Sequence, residues 1–186
     1  MDAAMRLFCE QGYDAATVEK IATAADVAKG TFFNYFQTKE AILPALAERR
    51  MQQIENMLSP RRGAPASPVA RIKLALRLVA EDPLTDPQLT QRLFAAMMKR
   101  HQREVSPGHA LVHLLADQVR QAQAAGEIRP NLDPTYIGCV IRTLFFQQMM
   151  MWYCECRPAP LPELLDRMVD LLLDGLAGPK WRPPLS

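Results

Sequence analysis

Few side chains in this 186-residue chain are spaced for catalysis. His109 and His113 stand four apart, so one helical face can present both imidazoles to a metal. No Glu or Cys lies near enough to complete a ligand set, and the run HALVH lacks the Glu of a zinc-protease helix. We read the pair as polar lining or surface. Cys154 and Cys156 form a CxC with no second pair. They are two incidental thiols at a helix end, with redox or metal sensing as the alternative. The chain has no phosphate-cradling glycine loop and no nucleophile elbow. We expect no catalytic residue, no metal and no cofactor. Residues 17–39, TVEKIATAADVAKGTFFNYFQTK, fit a different chemistry, hydrogen bonding to DNA. Lys29 suits the acceptors of guanine, Asn34 the N6/N7 edge of adenine, and Thr31 lies between them. Thr17, Lys20, Tyr35 and Lys39 are placed to hold phosphates and set register. Gly30 and Phe33 complete that surface.

Two short helices must carry these groups. Thr17 can cap the first with its hydroxyl. Val18, Ile21, Ala22 and Ala25 recur at helical spacing as its buried face. Asp26 falls at the turn, where Asp tolerates a left-handed backbone, and Val27 is expected to plug the gap between the helices. The second helix is predicted from Ala28 to Tyr35, with Phe32 and Phe36 inward and Thr31, Asn34 and Tyr35 on a separate polar face. This is a helix-turn-helix pattern with the second helix as reader.

The run from Leu7 to Leu43 closely resembles the N-terminal domain of TetR-family transcriptional regulators. The resemblance rests on Leu7-Phe8, Gly12-Tyr13, the reader Lys29 to Phe36 and the closing Thr38-Lys39-Glu40. Three positions depart from the family pattern. Asp26 stands where Gly is usual, Ala28 where Ser or Thr caps the reader, and Phe33 where Tyr is usual. The missing cap should cost about 1 kcal/mol, and Phe33 has no hydroxyl to give a phosphate. The resemblance implies a dimer formed through the last two helices, an effector-binding second domain, and first helices that begin earlier than Met1 allows. We therefore expect either an upstream start or weak operator binding.

Composition sets the outer bounds. At 49% hydrophobic the chain can bury a core. The greasiest run, Thr143 to Cys154, is too short for a membrane span and is broken by Gln147 and Gln148. The start MDAAMRLF does not read as a signal peptide, so a cytoplasmic protein with reduced thiols is expected. Residues 1–57 hold six basic against eight acidic side chains, a net of −2. Charge alone does not point to nucleic acid; the placement of Lys20, Lys29 and Lys39 does.

Nothing along the chain alternates like a strand, so the expected fold is all-α. It has about nine helices: a three-helix DNA-binding domain with a linking helix (1–58) and a larger effector-binding and dimerisation domain (68–178). The first helix is predicted over 2–10 (Met5 and Phe8 inward) and the fourth from a Thr38 cap to Leu58 (Ile42, Leu43, Leu46, Ile54, Met57 inward). The linker SPRRGAPASP separates the domains. Later helices are expected over 68–81 (Val69, Ile72, Leu76, Val79 inward), 87–103, 109–125, 134–155 and 162–177, with Ser106-Pro107-Gly108 as a break. Phe94, Met97, Met98, His101, His113, Phe145 and Met149 can line a cavity for a hydrophobic ligand, and plain core packing is the competing reading. Residues 137–153 and 164–176 are apolar on more than one face. Ile141, Phe145, Leu165, Met168 and Leu172 are the expected dimer contacts, giving two-fold symmetry matched to a palindromic operator. The expected partners are operator duplex DNA, a small-molecule effector and a second copy, and the protein is most simply a repressor. The alternatives are a helical dimer acting through protein contacts, or a small helical enzyme.

Overall fold

The structure, a computed structural model, describes residues 1–81, 107–154 and 159–175. Among these residues it is all-helical, with eight α-helices and one short 3-10 turn at Pro60–Arg62. We number the helices α1 (Asp2–Gln11), α2 (Val18–Ala24), α3 (Lys29–Tyr35), α4 (Ile42–Met57), α5 (Pro68–Ala80), α6 (Pro107–Ala124), α7 (Pro134–Cys154) and α8 (Leu161–Asp174). The helix predicted over 87–103 lies outside the described residues, and with it Phe94, Met97, Met98 and His101.

Two apolar cores share one helix. The first gathers Leu7 and Phe8 of α1, Ile21 of α2, Phe32 of α3 and Ile42, Leu43 and Leu46 of α4. The second begins lower on the same α4, at Ile54 and Leu58, and takes in Ile72 and Leu76 of α5, Leu115 and Val119 of α6, Ile141, Phe145 and Met149 of α7, and Leu165 and Val169 of α8. Each fully buried side chain of this size contributes roughly 1.5–3 kcal/mol. The packing boundary therefore falls inside α4, between Ala47 and Ile54, and not in the linker that follows it. Met57, expected inward, is 45% exposed because it lies on the face of α4 that neither core covers.

Local chemistry fixes the helix ends. Gly12 (φ 80°), Gly126 (φ 76°) and Gly175 (φ 75°) follow α1, α6 and α8 with backbones that favour glycine. Gly175 ends α8 three residues before the predicted stop. Pro107 opens α6 where a break was expected, since proline suits a helix's first turn and has no amide hydrogen to waste there. Pro68 does the same for α5, where the Ser67 hydroxyl accepts from the Ala70 amide at 3.1 Å. Glu127, from beyond α6, completes that cap: its Oε2 accepts from the Ser67 hydroxyl and the Val69 amide, both at 2.9 Å.

Arg71 is buried on α5 and serves the same corner. Its guanidinium donates to Gln118 and Gln121 of α6 and to the Pro65 and Ala66 carbonyls of the linker, all within 2.9 Å. A buried guanidinium left without acceptors would be very costly, so these four bonds hold the linker on α6. Lys73 pairs with Asp170 and Arg77 with Asp166, tying α5 to α8. On α7, Gly138 lets α6 come close: a Cβ there would lie 3.1 Å from the Val112 carbonyl oxygen and 3.2 Å from the Ala116 nitrogen.

Candidate nucleic-acid interface

The turn between α2 and α3 explains how the reader is aimed. Thr17 caps α2 as expected, its Oγ1 accepting from the Lys20 amide at 3.3 Å. Asp26 adopts φ 53°, the left-handed conformation read for it, and the Val27 amide then donates back to the Ala22 carbonyl at 3.0 Å. Ala25 and Val27 differ from expectation: both are exposed, Val27 by 41%. The reason is that Phe32, Ile21 and Ala16 already fill the space between the helices. Phe32 is buried and its ring lies tilted against that of Phe36, centres 5.5 Å apart, which rolls α3 so that its opposite side faces outward.

That outward side carries Lys29, Gly30, Phe33, Asn34 and Tyr35, all exposed, with Thr31 half-buried at its edge. Tyr35 is the barest large hydrophobic side chain among the described residues, at 78%. Ala28 precedes α3 without any side-chain cap, as its methyl group dictates. Lys29 bonds Glu19 of α2 and lies 5.9 Å above the centre of the Phe33 ring. The Lys29 hydrogen bond is the largest cause holding the Glu19 carboxyl below the usual carboxylate range. Sequence reasoning missed Glu19: ten residues separate it from Lys29, and no helical spacing joins them.

Lys20 and Lys39 are less free than their sequence positions suggested. Lys20 Nζ donates to Gln11 Oε1 and to the Ala15 carbonyl, each at 3.0 Å. Lys39 Nζ donates to the Tyr13 carbonyl at 2.8 Å and sits 4.1 Å over the Tyr13 ring. An ammonium has three donors, so each lysine braces the fold and keeps hydrogens for an outside acceptor. Tyr13 in turn donates to Glu40 Oε1 at 3.3 Å, which pins the entry to α4.

The second domain corrects several expectations. Ile141, Phe145 and Leu165 are at most 4% exposed. They point into their own core, so they are not contacts on an open dimer face. Phe145 and Met149 fill that same core, and His113 is exposed on α6. Met168 is half-buried and Leu172 is 39% exposed. Among the described residues, the exposed large hydrophobic side chains of α7 and α8 are Tyr136, Leu144, Met150, Met151, Leu171, Leu173 and the expected Leu172. A cleft of about 410 Å³ opens between α5, α7 and α8. Ile72, Ile137, Ile141 and Val169 form its floor, and Arg129, Tyr136 and Leu172 its rim. Cys9 is an exposed thiol and Cys139 a half-buried one, whereas Cys156 lies outside the described residues. No helix among the described residues is long and apolar enough to cross a membrane.

Comparison with known proteins bears on the same geometry. Residues 1–46 match the family described as bacterial regulatory proteins, tetR family. The chain is 26% identical over 174 residues to the HTH-type transcriptional repressor KstR of Mycobacterium tuberculosis, covering 93% of this chain and 78% of that one. It is 29% identical over 185 residues to the fatty acid metabolism regulator protein of Bacillus subtilis, covering 95% and 93%. The crystal structure of Thermus thermophilus FadR, a TetR-family transcriptional repressor in complex with lauroyl-CoA, superposes with a TM-score of 0.74 at 25% identity, over all of this chain and 97% of the other. The matched region, residues 1–46, contains the whole of α1 to α3 and the start of α4, the part whose outward face is described above. Residues 1–46 thus carry the DNA-binding domain matched by the tetR-family model, and the chain, similar over most of its length to transcriptional repressors, is a DNA-binding transcriptional regulator.

Proposed function

We propose that the protein is a cytoplasmic, homodimeric repressor released from a palindromic operator by an aliphatic acyl ligand. The observation that carries the DNA half is the face of α3: Lys29, Asn34 and Tyr35 stand exposed on a helix whose other side is anchored by buried Phe32. In this reading Lys29, Thr31 and Asn34 meet base edges, and Thr17, Tyr35 and the spare donors of Lys20 and Lys39 meet phosphates. On the same reading residues 1–58 include the DNA-binding unit with α4 as its link to the second core, and 68–178 form the effector and dimerisation unit.

The ligand class is supported by the relatives: one regulates fatty acid metabolism and another is a repressor crystallised with lauroyl-CoA. The shared helix supports the coupling. Because α4 belongs to both cores, a ligand that shifts Ile54 or Leu58 also moves Ile42 and Leu46, and with them the reader. Such a ligand acts only by preferring one of the two arrangements. The test is a gel shift on duplexes selected by the protein from a randomised library, with lauroyl-CoA titrated in. Release by lauroyl-CoA and not by free coenzyme A is expected. A complex that ignores lauroyl-CoA would refute the ligand class while leaving the DNA reading intact.

A further inference from the structure

Glu19 places a carboxylate against Lys29 at the start of the exposed reader side of α3, and an anion there is unexpected beside DNA. It stands at the start of α2, is 59% exposed, and its Oε1 accepts from Lys29 Nζ. Lys29, itself 53% exposed, opens α3, the end of a reader helix that meets base edges. The two side chains thus hold an acceptor and a donor side by side on the surface facing the groove. The ammonium also lies 5.9 Å from the centre of the Phe33 ring, one turn further along α3.

Such a pair matches one base pair better than the others. Guanine offers the O6 and N7 acceptors for an ammonium, and its cytosine partner offers an N4 amino group for a carboxylate. We propose that Glu19 is a specificity-determining residue that reads one G·C pair in each half-site jointly with Lys29. Held by Glu19, Lys29 is kept from swinging to the nearest phosphate. The carboxylate also repels the backbone wherever the matching cytosine is missing, so it weakens binding to wrong sequences more than to right ones. This differs from the phosphate contacts, which raise affinity for every duplex alike.

The inference rests on Lys29 meeting base edges, so the experiment tests the two separately. The full-length wild type, Glu19→Ala, Glu19→Gln and Lys29→Met are each used to select duplexes from a randomised library. Their affinities are then measured for the wild-type site, for that site with the G·C pair replaced, and for a random-sequence duplex. Thermal melting confirms that the variants fold, as exposed side chains should allow.

Wild type should discriminate at that pair by about tenfold, the size of one good base contact. Glu19→Ala should cut this to about threefold or less and strengthen binding to random duplex, with a salt slope steeper by about one counterion. Glu19→Gln keeps an acceptor without the charge, so it should strengthen random binding while retaining part of the preference. If Glu19→Ala keeps the tenfold preference and the wild-type salt slope, the proposal is overturned. If Lys29→Met binds the selected site as tightly as wild type, the base-reading role of Lys29 fails instead.

Discussion

Leu172→Glu should dissociate the dimer without unfolding the protomer. Leu172 is 39% exposed on α8, beside Leu171 at 52% and Leu173 at 37%. Covering a whole leucine side chain contributes roughly 1.5–3 kcal/mol, so the part of Leu172 left for a partner accounts for roughly 1 kcal/mol per copy. Placing an unpaired carboxylate there adds a desolvation cost of roughly 1–3 kcal/mol per copy. Two-fold symmetry counts both terms twice, which gives roughly 4–8 kcal/mol. The dimer dissociation constant should then rise by about a thousandfold or more. Light scattering and sedimentation over a dilution series measure the mass, and circular dichroism reports the helices. A contrasting variant, Phe145→Glu, places its charge at a fully buried position and should fail to fold rather than give a folded monomer. An unchanged dimer for Leu172→Glu would show that this end of α8 faces away from the partner. A folded monomer for Phe145→Glu would refute the assignment of Phe145 to the core.

Gly138→Val should force α6 and α7 apart, because its Cβ would meet the Val112 carbonyl oxygen at 3.1 Å. The cost is about 1–3 kcal/mol, or a fall in Tm of about 3–10 °C, and an unchanged Tm would mean the helices separate freely. Ala28→Ser supplies the missing cap of α3 and should add about 1 kcal/mol in urea unfolding; no gain would mean that the α3 amides are already satisfied. Glu40 has its carboxyl held below the usual range, chiefly by a backbone hydrogen bond, then by Thr38, Tyr13 and Lys39. A depressed carboxyl contributes stability above its ordinary value of 4.5 and loses it as pH falls through the folded value. Glu40→Gln should therefore be less stable than wild type at neutral pH and match it in strong acid, and a gap independent of pH in urea titrations would refute this.

The helix-turn-helix was legible because its determinants are local. Thr17 caps its own helix, Asp26 takes the left-handed turn by its own chemistry, and Phe32 and Phe36 share a face by spacing alone. What escaped was tertiary. Val27 is apolar and next to a turn, yet whether it is covered depends on Phe32 reaching that space first. Helices α7 and α8 read as apolar on more than one face, so periodicity does not separate inward from outward residues: of the expected contacts Phe145 and Leu165 are buried, while Leu172 is exposed between Leu171 and Leu173. The sequence places Lys39 for a phosphate but gives no sign of the Tyr13 ring beneath it. Arg71 gives no sign in the sequence that it will be buried, since two of its four acceptors come from the distant α6 and the other two are carbonyls of the adjoining linker.

The central claim is that the exposed face of α3 reads DNA as one half of a symmetric pair. Selection of duplexes from a randomised library by the full-length protein tests it most directly. The expected outcome is an inverted repeat with half-sites one or a few helical turns apart, about 10 base pairs or a multiple, and loss of enrichment for Asn34→Ala at one position per half-site. Failure to enrich any sequence, or an enriched site that Asn34→Ala and Lys29→Met bind as wild type does, would contradict it.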